Sequence, residues 1–189
     1  MESALIVCGA DKGVAFYEKL LHDSAGVAAS HAKSGAEARR LFIENDYELV
    51  LIHTQLPDEF GHELAAAASE RTTAGVLLVA KRELSSELAQ KVEDYGVIVV
   101  EWPLNVQLFH QALKIASASR KRMLSLKTKN VELLRRIDEM KQVDRAKCLL
   151  IEHAGMTEPQ AHKYIEKQAM DRRTTRREIA ASIIASYNG

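Results

Sequence analysis

The chain has 189 residues, enough for one large domain or two small ones. With 47% hydrophobic and 28% charged residues, 9 Gly and 3 Pro, it can bury a core and is neither disordered nor fibrous. A formal net charge of zero hides an asymmetry: residues 1–118 hold 10 Lys+Arg against 17 Asp+Glu, net −7, while residues 119–189 hold 16 against 9, net +7. The basic end points to a polyanion partner. The start, MESALIVCGADKG, has no basic lead-in or cleavage site, and no apolar run approaches the roughly 18 residues of a membrane span, so the expected location is cytoplasmic, with no membrane partner. Cys8 and Cys148 stand apart from any Cys or His cluster, which argues against a disulfide framework or structural zinc; no cofactor is expected.

Taken in order, Ala4 to Cys8 reads as a strand, followed by an amphipathic helix with Val14, Phe16, Tyr17, Leu20 and Leu21. A weak strand at Val27 to Ser30 precedes a helix opened by Ser34 and Glu37, a capping-box pair, over Ala38, Leu41 and Phe42. Glu48 to Ile52 is a third strand with the unbroken apolar run of full burial. Glu63 to Glu70 then reads as a helix, Val76 to Val79 as a strand, Leu84 to Asp94 as a helix and Val97 to Val100 as the last strand. Five βα repeats of this kind predict a doubly wound parallel sheet covered on both faces.

From Asn105 to Gly155 no Pro or Gly interrupts the helical pattern, so a helix of some fifty residues is expected. Met123, Leu126, Asn130, Leu133, Ile137 and Met140 alternate spacings of three and four, a heptad seam with a polar Asn at a core position. That seam predicts a parallel homodimer. An extended helix packed on its own domain is the plainer alternative.

After Gly155, Thr157 with Pro159 and Gln160 opens one short helix, and Thr175 with Glu178 opens another. Ala161, Tyr164, Ile165 and Gln168 or Ala169 mark the inner face of the first; Ile179, Ala180, Ile183 and Ile184 mark that of the second. With Ala146, Leu149 and Leu150 from the long helix they predict a three-helix bundle. The expected parts are 1–118, 119–144 and 145–189.

The βα pattern of residues 1–118, closing on Val100, Glu101, Trp102 and Pro103, resembles the receiver domain of response regulators. The resemblance implies an acidic pair after the first strand, a phosphoacceptor Asp ending the third, a Thr or Ser ending the fourth and a Lys before Pro after the fifth. Those positions here hold Cys8 and Gly9, His53, Ala80 and Trp102. Mg²⁺ wants oxygen ligands, and an acyl phosphate needs a carboxylate nucleophile with nearby neutralisation. Asp11 alone is a poor Mg²⁺ site, and His53 without metal or lysine is a poor phosphoacceptor. A pseudo-receiver is expected, with His53 a polar residue at a strand end and Trp102 an apolar plug filling the pocket.

The segment from Val143 to Ile184 is similar to the ANTAR domain, the RNA-binding module of transcription antitermination regulators. The matching residues are Ala146 and Lys147, Leu149 and Leu150, Gly155, Ala161, Ala169 and Met170, and Ile179 and Ala180; Tyr164 and Cys148 depart from the usual residues. The residues add a basic surface of their own. Arg172, Arg173, Arg176 and Arg177 cluster between the last two helices, Lys163 and Lys167 lie one turn apart, and Lys147 extends the region. Guanidinium forks suit phosphate. Few aromatics are available for stacking bases, so a hairpin's shape and backbone are the expected target, with a few loop bases read directly. The expectation is an antitermination regulator that binds leader RNA as a dimer, with a regulatory protein partner left open. The competing class is a DNA-binding transcription factor, disfavoured because REIAASIIASYNG offers small and apolar residues where a recognition helix carries base-reading polar ones. An enzyme has no support, since neither a nucleophile–base constellation nor a Gly-rich phosphate loop is present.

Overall fold

The computed structural model describes residues Ser3–Tyr187, so the outermost residues of the expected first and third parts, 1–2 and 188–189, lie outside the described residues. The chain divides into two compact units, Met1–Ser125 and Leu126–Gly189. The first contains β1 (Ser3–Val7), α1 (Asp11–Ala25), β2 (Ala28–Ala32), α2 (Gly35–Glu44), β3 (Leu49–His53), α3 (His62–Arg71), β4 (Gly75–Lys81), α4 (Arg82–Val92), a 3₁₀ turn at Glu93–Tyr95 and β5 (Ile98–Trp102). All strand pairs are parallel, in the order β2-β1-β3-β4-β5. This is the expected doubly wound (βα)5 sheet.

Both faces are buried, which explains the unbroken apolar runs. Successive side chains of a strand point to opposite faces. Leu5 and Val7 accordingly join Val50, Ile52, Leu64, Leu78 and Leu88 in one core, whereas Ala4 and Ile6 join Tyr17, Leu21, Leu51, Leu77, Phe109 and Leu113 in the other. The edge strand β2 is short and mostly exposed, and its AASHA sequence gave the weak strand signal. The Ser34 cap forms by half: the Ser34 hydroxyl accepts from the Glu37 N–H at 3.2 Å, but the Glu37 carboxylate accepts from the Lys33 N–H at 2.7 Å instead of reaching Ser34.

Helix α5 (Val106–Ala154) is 49 residues long. Its first turns cover the sheet with Phe109, Ala112, Leu113 and Ala116, so the fifth helix of the sheet domain and the heptad stretch lie on one unbroken helix. At Gly75 the fit leaves no room for a side chain: a Cβ there would meet Ala116 Cβ at 2.8 Å and its carbonyl oxygen at 2.9 Å. Arg120 adds an ion pair to Glu48 at 3.2 Å.

The second unit contains the rest of α5, then α6 (Glu158–Asp171) and α7 (Arg176–Tyr187). Gly155, at φ +63°, ends α5 in a left-handed conformation that glycine adopts without strain. Both predicted capping boxes form: Thr157 with Gln160, and Thr175 with Glu178. The core is Ala146, Leu150, Ala161, Ile165, Ala169, Ile179 and Ala180, in which four alanines let the helices approach closely. Ile183 and Ile184 are only partly buried against this core, and Tyr164 is 39% exposed rather than inward-facing. Of the two cysteines, Cys8 is buried and Cys148 exposed. No helix among the described residues is long and apolar enough to cross a membrane.

Candidate nucleic-acid interface and receiver cleft

In an open parallel α/β sheet the ligand crevice lies beyond the carboxyl ends of the strands. There Cys8, Gly9, Ala10, Lys12, Phe16, Tyr17, His53, Thr54, Gln55 and Trp102 line a cleft of about 660 Å³. Four of the five substituted receiver positions meet here. The fifth, Ala80, does not line the cleft and is fully buried in the core with Leu78 and Leu88. Trp102 does not plug the space: it stands at the rim, 37% exposed, edge-on to Phe16 at 5.7 Å and to His53 at 5.6 Å between ring centres. An indole at the end of a strand that stops at the sheet edge has no cover over its outer side.

His53 is more than a strand-end polar residue. Its Nδ1 lies 2.6 Å from the hydroxyl of the buried Tyr17. Burial, with the Lys81 charge adding to it, holds the imidazole below its usual pKa; burial, with Cys8 adding, pushes the Tyr17 phenol up. A neutral imidazole and a protonated phenol share one hydrogen bond here, and its direction follows whichever ring nitrogen carries the proton. Asp11 turns away, pairing with Lys33 at 2.7 Å. Among the described residues no carboxylate lines the cleft, so it lacks the acidic ligands of a Mg²⁺-dependent phosphorylation site.

The seven basic residues expected to contact RNA separate into two groups. Lys147 is tied down, its ammonium 2.9 Å from Asp144 and 3.0 Å from Glu158, bonds that raise its pKa. Arg176 reaches Glu166 at 3.5 Å, and Arg177 reaches Asp138 on α5 at 3.1 Å. By contrast Lys163, Lys167, Arg172 and Arg173 are exposed and make no ion pair among the described residues. Arg172 caps α6, and Arg173 takes φ +50°, which turns the chain sharply between α6 and α7. Sequence reasoning missed a second basic feature: Arg135, Arg136, Lys147, His162 and Arg176 line a cleft of about 450 Å³ together with Glu139 and Asp144. Its members lie up to 41 positions apart, and only the i, i+7 spacing of Arg136 to Val143 and the i, i+8 spacing of Arg136 to Asp144 hinted that they share a helix face.

Along α5 the seam residues are open: Met123 is 55% exposed, Leu126 54%, Leu133 56%, Ile137 49% and Met140 65%, and Asn130 is also exposed. Beyond Met140, the residues Val143, Ala146 and Leu150 continue the apolar series and are the ones that α6 and α7 cover.

Comparison with known proteins agrees with this geometry. Residues 132–184 match the ANTAR domain. The chain is 29% identical over 168 residues to the transcriptional regulatory protein PdtaR of Mycobacterium tuberculosis H37Rv, covering 88% of this chain and 81% of that protein. It is 30% identical over 126 residues to the aliphatic amidase regulator of Pseudomonas aeruginosa, covering 65% of this chain and 62% of that one. The sheet unit superposes on the receiver domain of an HD domain-containing protein from Pseudomonas fluorescens Pf-5, with a TM-score of 0.58 and 19% identity over 66% of this chain and 92% of that one. A receiver domain protein from Clostridium thermocellum gives a TM-score of 0.58 at 17% identity, over 66% of this chain and 99% of that one. These neighbours give the sheet unit the receiver fold. The chain thus combines an ANTAR domain over residues 132–184 with a sheet unit of receiver fold.

Proposed function

We propose that this chain is a transcription antitermination regulator. As a coiled-coil dimer it binds a hairpin in nascent leader RNA, which prevents the competing terminator from forming, and it is controlled by a receiver domain that is not phosphorylated. In this reading residues 1–118 receive the input, 119–144 pair the two copies and 145–189 hold the RNA. The protein acts in the cytoplasm, without catalysis.

The observation that carries the RNA assignment is the exposed, unpaired set Lys163, Lys167, Arg172 and Arg173 on a domain that matches ANTAR. Four cations free of internal partners can release phosphate counterions on binding, whereas Lys147, Arg176 and Arg177 would first have to give up a carboxylate. The dimer assignment rests on the uncovered seam, since five large apolar side chains at heptad spacing are exposed, whereas Val143, Ala146 and Leu150 farther along the helix are covered. The lack of a carboxylate among the described lining of the receiver cleft supports an input other than Asp phosphorylation.

The test compares a stem-loop from a leader transcript with duplex promoter DNA of equal length, by fluorescence anisotropy at several salt concentrations. Preference for the stem-loop is expected, with affinity falling steeply as salt rises. Preference for the duplex would make the protein a DNA-binding factor instead.

A further inference from the structure

We propose that the vacated receiver cleft is a binding site for a small planar aromatic anion, of the aromatic carboxylate class. The inference goes beyond RNA binding and does not depend on it.

Size comes first. A cleft of about 660 Å³ lies within the roughly 300 to 1,000 Å³ typical of small-molecule sites, and it opens at the sheet's carboxyl edge, where such folds bind ligands. A bicyclic ring system with one charged substituent fits that space.

Charge comes second. Among the described residues Lys12 is the only one lining the cleft with a full charge, and it makes no ion pair with the others. Because no carboxylate opposes it, an anion entering the cleft meets one cation and no repulsion. The His53 ring adds a neutral hydrogen-bonding group, since Tyr17 occupies Nδ1 and leaves Nε2 for an occupant. A divalent metal cation finds no carboxylate to neutralise its charge.

The wall supplies the third argument. Phe16, His53 and Trp102 form a chain of edge-to-face rings, and Phe16 remains 42% exposed and Trp102 37% exposed. Large aromatic side chains left open beside a cavity are an unfilled apolar surface, and a further ring is the partner such a wall accommodates best through offset or edge-on contact. Trp102 lies four residues before the first residue of α5, so an occupant touching the indole also bears on the segment that leads into the long helix.

The test uses the full chain and the fact that it contains one tryptophan. In a ¹H–¹⁵N NMR spectrum the indole N–H of Trp102 is therefore a single, self-assigned reporter in the cleft. Titration with 2-naphthoate is expected to shift that peak saturably, with a Kd on the order of 1 mM or below for a fragment of this size. Neutral 2-naphthamide and non-aromatic cyclohexanecarboxylate are each expected to bind at least about threefold more weakly. Lys12→Met, a change at an exposed position, should weaken 2-naphthoate about threefold and leave 2-naphthamide unaffected. No shift up to 10 mM 2-naphthoate would overturn the proposal. So would equal binding of the acid and the amide, or an equal response to inorganic phosphate, which would make the cleft a site for simple oxyanions.

Discussion

Changing Lys127 and Lys141 to glutamate should convert a weak pairing of two α5 helices into a strong one. With Met123, Asn130 and Ile137 at a positions and Leu126, Leu133 and Met140 at d, Lys127 and Lys141 occupy e positions while Arg122 and Arg136 occupy g. In a parallel dimer each g residue faces the e residue five places on in the other helix. Arg122 then opposes the partner's Lys127 and Arg136 the partner's Lys141, each twice by symmetry, giving four like-charge contacts. All four side chains are exposed, where a contact of this kind is worth about 0.5 kcal/mol in either direction. Reversing one charge in each contact changes it from repulsive to attractive, about 1 kcal/mol apiece. Arg136 already bridges to Glu132 at 2.6 Å, which weakens two of the four, so the total is about 3 kcal/mol, or roughly a hundredfold in the dimer Kd. Sedimentation equilibrium of full-length protein at 50 and 500 mM NaCl, without RNA, measures this directly. The native chain should dimerise more tightly at high salt, where its like charges are screened, and the double variant more tightly at low salt. If the variant remains as weak as the native chain, the helices do not pair in parallel in this register.

The basic residues of the bundle should divide as their ion pairs do. Arg172→Ala with Arg173→Ala should weaken stem-loop binding and flatten its salt dependence by about 0.7 to 0.9 in slope per lost phosphate contact, whereas Lys147→Met should leave the slope unchanged and lower the bundle's denaturation midpoint. Gly75→Ala should destabilise the sheet unit by about 1–3 kcal/mol in urea titration, because its Cβ would press on the Ala116 backbone. His53→Gln should alter pH dependence with a definite sign. A histidine whose pKa is depressed by folding contributes stability that is present above its unfolded value near 6.5 and is lost as pH falls toward its folded value. Between pH 7.5 and 5.5 the native chain should therefore lose stability more steeply than His53→Gln, as read from thermal midpoints; parallel profiles would mean that His53 is not held neutral.

Much of this architecture was legible because it is local. The strands are runs of apolar residues, three of the helix starts are Ser or Thr with Glu or Gln three places on, and Gly155 ends α5 where the spacing said it should. The pairings of distant side chains were not legible. Nothing in sequence relates Tyr17 to His53, 36 positions away, or turns Arg177 from its neighbouring arginines toward Asp138, 39 positions away. A charge cluster read along the chain therefore looked uniform, although half of it is neutralised inside the bundle. Trp102 was misjudged for a similar reason: its apolar character implied burial, but the last residue of the edge strand β5 has a neighbour on one side only.

The distribution of tryptophan and thiol gives the chain one native reporter in each unit. Trp102 is the single indole and lies in the sheet unit, while Cys148 in the bundle is exposed and Cys8 is shielded. Emission from the indole and alkylation of the accessible sulfhydryl can thus follow the melting of the two units separately, in unaltered protein, and reveal whether they unfold together or one after the other.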